Sequence, residues 1–191
     1  KELDNPKLIF VMFLTTMIVT ASTMSIDPII SLYVRSLMHN HGNVAFVAGV
    51  VAATPGLGTL IAASKIGHTM DRIGPERVLR VGLTVAFVLF IPMTFTHSPW
   101  SLAFWRFLLG LANAALMPAT QTVLTLDVPT EAFGRIFSYN QSFQAGGAVL
   151  GSLLGSAISG LSSYPMVFAV TGLTLLVNLA LVLMVRTPKK A

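Results

Sequence analysis

Six apolar stretches, separated by short polar turns, constrain this chain more than any other feature. They run at about residues 8–37, 44–66, 78–96, 100–126, 136–161 and 166–185. Each reaches or approaches the roughly 20 residues that an α-helix needs to cross the hydrocarbon of a bilayer. In that medium every backbone N–H and C=O must be paired within the segment, so helix is the structure these stretches can take. Composition agrees: of the 191 residues, 54% are hydrophobic and 10% charged, against about 25% charged in soluble domains. The fold class that follows is an all-α membrane protein, a single bundle of six transmembrane helices. Cysteine is absent, which excludes disulfides and thiolate metal sites.

Six spans place both termini on one side. Lys1, Lys7, Lys65, Arg72, Arg77, Arg80, Arg135, Arg186, Lys189 and Lys190 fall on that side, and Arg35 alone lies near a helix end on the other. The positive-inside rule then makes the termini and the charged connections cytoplasmic, in a cytoplasmic (plasma or inner) membrane. The formal net charge of +5 is therefore a topology signal. No basic stripe interleaved with aromatics is present to follow a phosphate backbone, so nucleic acid is not an expected partner.

Two charged residues stand deep within apolar stretches, away from their ends. Asp27, followed by Pro28, lies about 15 Å from the outer end of the first segment at 1.5 Å per residue, and Arg106 lies at a similar depth in the fourth. A charge at such depth costs at least about 2.5–3.5 kcal/mol on insertion scales and calls for a partner. The two are expected to face a common interior and to pair. Beside an arginine in a poorly hydrated cavity, a carboxyl is held between desolvation, which favours its protonated form, and the cation, which favours its charged form. Such a carboxyl can load and release a proton, so Asp27 and Arg106 are the candidates for proton coupling.

Further polar residues sit where lipid would not tolerate them. Tyr139, Asn140, Gln141 and Gln144 at the front of the fifth segment, with Asn113 and Gln121 in the fourth, suggest a wet cavity able to contact substrate; plain hydrogen bonding between helices is the alternative. Behind them Gly147, Gly151 and Gly155 recur every four residues, a face on which another helix can approach closely. Enzymatic chemistry fits poorly. An intramembrane serine protease needs a histidine base on a later helix, and no histidine follows His97. His39, His41, His68 and His97 all lie in or beside connections, without a metal-binding cluster at membrane depth. A phosphate-binding GxxxxGKS loop is also missing, and no cofactor is implied.

The densest run of charge is Gly67-His-Thr-Met-Asp71-Arg72-Ile-Gly74-Pro75-Glu76-Arg77. It is expected to form a tight turn between spans at Gly67 and Gly74. Asp71 suits the positive N-terminus of a neighbouring helix, while Arg72 and Arg77 are placed to pair with Glu76, Asp127 or Glu131, and Arg135 to complete a charge network on that face. Exposed pairs are worth only about 0–1 kcal/mol each, so a gate built this way needs several of them together.

Three of these motifs resemble a known family. Gly67-x-x-x-Asp71-Arg72-x-Gly74-x-x-Arg77 is similar to the loop between the second and third helices of a major facilitator superfamily half. Leu102-x-x-x-Arg106-x-x-x-Gly110 resembles that family's fourth-helix motif. Gly147-x-x-x-Gly151-Ser152-x-x-Gly155 resembles its fifth-helix antiporter motif, with Ser152 where the family usually has proline and Ser156 where it has glycine. The stretches around Asn5-Pro6-Lys7-Leu8, Leu32-Tyr33-Val34-Arg35 and Gly134 to Phe143 look like the C-terminal half of MdtG-type multidrug exporters. The resemblance implies two inverted three-helix repeats forming one half of a two-half transporter. It also implies drug:proton antiport, with lipophilic small-molecule drugs, protons and the bilayer as partners. Either an absent N-terminal six-helix half or a second copy of this chain would complete the cavity. A half-bundle that packs with a partner without transporting, and a facilitator without proton coupling, are the alternatives.

Overall fold

Apolar sequence of helical length becomes helix throughout the computed structural model, which describes residues 6–185. Lys1, Asn5, Arg186, Lys189 and Lys190 lie outside the described residues. The order is α1 (Pro6–Met24), a 3-10 turn (Asp27–Ile29), α2 (Ile30–Leu37), α3 (Val44–Ile73), α4 (Pro75–Thr94), α5 (Pro99–Asp127), a second 3-10 turn (Thr130–Ala132), α6 (Phe133–Leu161) and α7 (Tyr164–Met184). No strand occurs among the described residues. Proline stands in the first turn of α4, α5 and α7, where the missing N–H has no partner to lose and φ is already helical.

The first span is broken. Pro28 cannot donate to the carbonyl one turn back, so α1 stops at Met24 and the chain turns through Asp27 before α2 resumes. The Ser152 hydroxyl of α6 reaches Met24 O at 3.5 Å, and in α3 the carbonyl freed by Pro55 is taken by the Thr54 hydroxyl, 2.8 Å from Val51 O. Such repairs are what make proline tolerable at membrane depth.

The charged connection differs from the sequence expectation. α3 continues to Ile73, so Gly67, Asp71 and Arg72 are helical, and the reversal is made at Gly74 alone, at φ +87°. Similarly α4 begins at Pro75 and α6 at Phe133, which puts Arg77, Gly134 and Arg135 on helices. The reason is length. α3 has 30 residues, about 45 Å of helix, against about 30 Å of hydrocarbon. Apolarity marks where the lipid ends, whereas the helix ends only where a glycine or proline stops it.

Five stretches, Pro6–Leu37, Val44–Ile73, Pro75–Thr94, Pro99–Asp127 and Tyr164–Met184, are long and apolar enough to cross a membrane. α6 has 29 residues and the length to do so, but it is not among them; its first turns carry Ser138, Tyr139, Asn140, Gln141, Ser142 and Gln144. Its place in the bundle is fixed by glycine packing instead. A Cβ on Gly147, Gly151 or Gly155 would collide with the backbone of Met17 and Ala21 of α1 or of Ser25 just beyond its end, in that ascending order, so α1 and α6 run parallel with backbone against backbone. α3 and α5 meet in the same manner: Gly58 abuts Phe107 O, Gly110 abuts Pro55 O, and the Thr59 hydroxyl donates to Gly110 O at 3.0 Å. α4 packs on α5 and on α7, and α7 packs on α1. Exchanging spans one to three with four to six reproduces this pattern, as an inverted repeat requires.

Substitution should separate packing glycines from idle ones. G151A forces a methyl into Ala21, an overpacking cost of about 1–3 kcal/mol or more, and thermal unfolding in detergent should report a clearly lowered midpoint. G146A, at a position with nothing within 4 Å of the added carbon, should leave the midpoint unchanged or raise it slightly.

Candidate functional site

The break in the first span creates the polar centre of the bundle. Asp27 heads the 3-10 turn after α1, and Arg106 stands two turns inside α5. Arg106 Nη2 donates to Asp27 Oδ1 at 3.3 Å. The two ends of this pair are unlike: the arginine side chain is 5% exposed and the aspartate 46%. Nε and Nη1 of Arg106 are buried and find no partner among the described residues. Beside the pair is a cavity of about 20 Å3 whose walls include Thr23, Asp27, Pro55, Phe90, Arg106 and Asn113, room for about one water molecule.

The other sequence-nominated cavity residues are dispersed. Asn113 joins the pair at this cavity, while Gln121, two turns further along α5, is exposed. On α6, Tyr139 and Gln141 are exposed and Gln144 is half-buried. Asn140 is buried at 2% exposure, and its Oδ1 has no partner among the described residues. Gly147, Gly151 and Gly155 are packing positions against α1, as described above.

The charged end is open. Gly67, Asp71 and Arg72 are exposed on the last turns of α3, Arg77 is exposed on α4, and Glu131 and Arg135 are exposed around the start of α6, with Asp127 at the end of α5. Among the described residues, Asp71, Arg72, Arg77, Glu131 and Arg135 form no ion pair with one another, so that part of the expected network is not assembled. Long side chains at exposed helix ends gain little from pairing and lose rotamer entropy by it.

A second polar seam escaped the sequence reading. The Thr15 hydroxyl donates to Asn178 Oδ1 at 3.0 Å, and Ser25 and Thr171 share a hydrogen bond of 3.0 Å, so two buried polar contacts tie α1 to α7. The signal was available, since Asn178 is the lone amide in the most apolar of the spans, with mean hydropathy 2.4. Near the other end of the first span, the Tyr33 hydroxyl donates to Thr96 O at 2.9 Å, holding α2 to the connection after α4. No group of three or more His, Cys, Asp or Glu able to hold a metal occurs among the described residues.

Known proteins resemble this chain both in sequence and in shape. The multidrug resistance protein MdtG of Salmonella arizonae is 48% identical over 177 residues, covering 93% of this chain and 44% of that protein; the MdtG proteins of Salmonella paratyphi B and Salmonella newport match to the same extent. The chain thus spans less than half the length of these relatives. Among solved structures, a D-xylose-proton symporter superimposes with a TM-score of 0.81 at 16% identity, over 96% of this chain and 49% of the symporter; at that identity the likeness speaks for the fold alone. Residues 11–191 match the Major Facilitator Superfamily. With the match running from the first turns of α1 to the last residue, over a bundle of this architecture, the chain belongs to the Major Facilitator Superfamily.

Proposed function

We propose that this chain is the C-terminal half of a multidrug exporter that exchanges protons for lipophilic drugs, and that Asp27 and Arg106 couple the two movements. The observation that carries the reading is the ion pair with one exposed and one buried member at a small cavity. An arginine stays protonated in a protein, so the switchable member is the carboxyl, which is also the one that solvent can reach. Protonating Asp27 would leave the guanidinium buried and unpaired, a costly state. The bundle escapes that state by giving Arg106 another acceptor or by letting water in. Proton binding thereby acquires a preference between conformations, which is what coupling requires.

Supporting the drug specificity is the name carried by the MdtG relatives, multidrug resistance protein. The half-length match supports completion of the cavity by a second six-helix half. The positive-inside distribution supports cytoplasmic termini in an inner or plasma membrane. Asp71, exposed at the last turn of α3, would then face the other half across the cytoplasmic end, where a helix N-terminus offers it a favourable dipole.

D27N in the complete transporter should abolish proton-driven drug uptake into inside-out vesicles while drug binding persists; drug movement that ignores an imposed pH gradient even in the unaltered protein would instead establish a facilitator. A thermodynamic cycle of D27N, R106Q and the double variant separates coupling from stability. D27N alone should lower stability by on the order of 1–2 kcal/mol, below the usual 3–5 for breaking a buried pair because the aspartate is half exposed, and R106Q should recover much of that loss in the double variant. D71N should shift the inward/outward balance measured by cysteine accessibility; unaltered transport and accessibility would reduce the charged end to a topological anchor.

A further inference from the structure

Along α1 polar side chains recur at Thr16, Thr20 and Thr23, and Asp27 follows in the 3-10 turn just beyond the helix end. Steps of four and three residues place the three threonines on one face of the helix. At its Asp27 end this face is turned to α5, because Asp27 meets Arg106 there and Thr23 shares a cavity with Asp27, Arg106 and Asn113. The remaining faces of α1 are otherwise engaged. Met17, Ala21 and Ser25 abut the glycines of α6, and Thr15 and Ser25 bond to Asn178 and Thr171 of α7.

The hydroxyls on this face behave unlike others in the bundle. A threonine in a helix usually donates to the carbonyl one turn back, as Thr84, Thr94, Thr120 and Thr122 do at 2.8–3.0 Å. Thr23 does so only at 3.3 Å. The Oγ1 atoms of Thr16 and Thr20 are buried and have no partner among the described residues, and Nε and Nη1 of Arg106 are in the same condition at the other end of the stripe. Thr16 is 1% exposed. Unpaired donors at such depth are expensive, and here they fall on one line about 16 Å long at 1.5 Å per residue.

We infer that the Thr16–Thr20–Thr23 face of α1 is the path by which protons move between Asp27 and the cytoplasmic side. This rests on Asp27 being the coupling carboxyl. Threonine hydroxyls and interposed water molecules form a hydrogen-bonded file. Asp27 gives its proton to the first oxygen, each oxygen accepts one proton and passes one on, and only O–H bonds are made and broken. Arg106 is the charged group facing Asp27 from α5. Pro55 of α3 and Phe90 of α4 close the cavity wall without charge, and on α6 and α7 the ionisable side chains beyond Arg135 are Tyr139 and Tyr164. One turn below Thr16 the same stripe continues as Met12 and Ile9, both buried, an apolar stop that closes the file in this conformation.

The test replaces hydroxyl by methyl without changing shape. In the complete transporter reconstituted in vesicles with an internal pH dye, T16V/T20V should slow drug-driven proton movement by about tenfold or more, with drug binding unchanged, and T16S/T20S should restore the rate. Unslowed proton movement in the valine variant would overturn the path, as would equal slowing by valine and serine, which marks a packing role. T20V alone, at a half-buried position, answers the same question if the double variant does not fold. D27N measured in parallel keeps the two ideas apart. Coupling that survives D27N defeats the carboxyl assignment and the path with it, whereas coupling lost in D27N but intact in T16V/T20V defeats the path alone.

Discussion

The structure depends on backbone meeting backbone along two pairs of parallel helices. Lipid tails are as apolar as leucine, so helices in a bilayer gain little from hiding apolar side chains and associate through close packing and interhelical hydrogen bonds. Gly147, Gly151 and Gly155 of α6 against α1, and Gly58 and Gly110 between α3 and α5, supply that closeness. They do more than hold helices together. Locking Met17, Ala21 and Ser25 against α6 sets the rotation of α1 about its own axis, and Thr23 and Asp27 are thereby turned to Arg106 and Asn113 of α5. Gly110 does the same for α5, one turn from Arg106. The polar centre is placed by residues that have no side chain at all.

Around this frame the interruptions in helical hydrogen bonding are repaired locally. Pro28 and Pro55 each release a carbonyl, and hydroxyls from Ser152 and Thr54 approach the freed oxygens. The first of these repairs comes from a different helix, so the break that exposes Asp27 is stabilised by the same α1–α6 contact that orients it. Ser152 stands at the position where the family's fifth-helix motif usually has proline. Here the hydroxyl contributes something a proline could not, a donor for Met24 O.

Much of this was legible in the sequence, because hydrocarbon admits so few structures. Apolar length marked five of the helices as spans, the charge distribution suggested an orientation, and the four-residue glycine spacing on α6 announced a close helix contact. Helix ends in the charged region were not legible. Gly67 and Gly74 are equivalent as turn signals, and only the structure distinguishes a glycine carried within a helix from one at φ +87°. Nor could periodicity tell which of Tyr139, Asn140, Gln141 and Gln144 turns inward, since four polar residues in six positions cover most of a helix circumference. Asn140 is buried and its neighbours are not. Asn178 stands out by polarity alone, as the one amide in a long apolar run, but periodicity does not reveal that Thr15 is its partner.

The pseudo-symmetry of the packing makes the asymmetry of the charges informative. Asp27 belongs to the first three-span repeat and Arg106 to the second, so the pair joins the repeats through α1 and α5, which exchange with each other when the repeats are interchanged. Had the pair served only to fasten the repeats together, two buried partners with every donor engaged would have been the stable arrangement. Instead the guanidinium is buried with Nε and Nη1 unengaged, and the carboxylate is half exposed. Buried ion pairs are weak sources of stability even when complete, and an incomplete one is weaker still. A half-satisfied pair between two repeats has more to gain from a second arrangement, in which Arg106 finds other acceptors, than a fully satisfied pair would. Such a geometry fits the coupling element proposed above better than it fits a rivet.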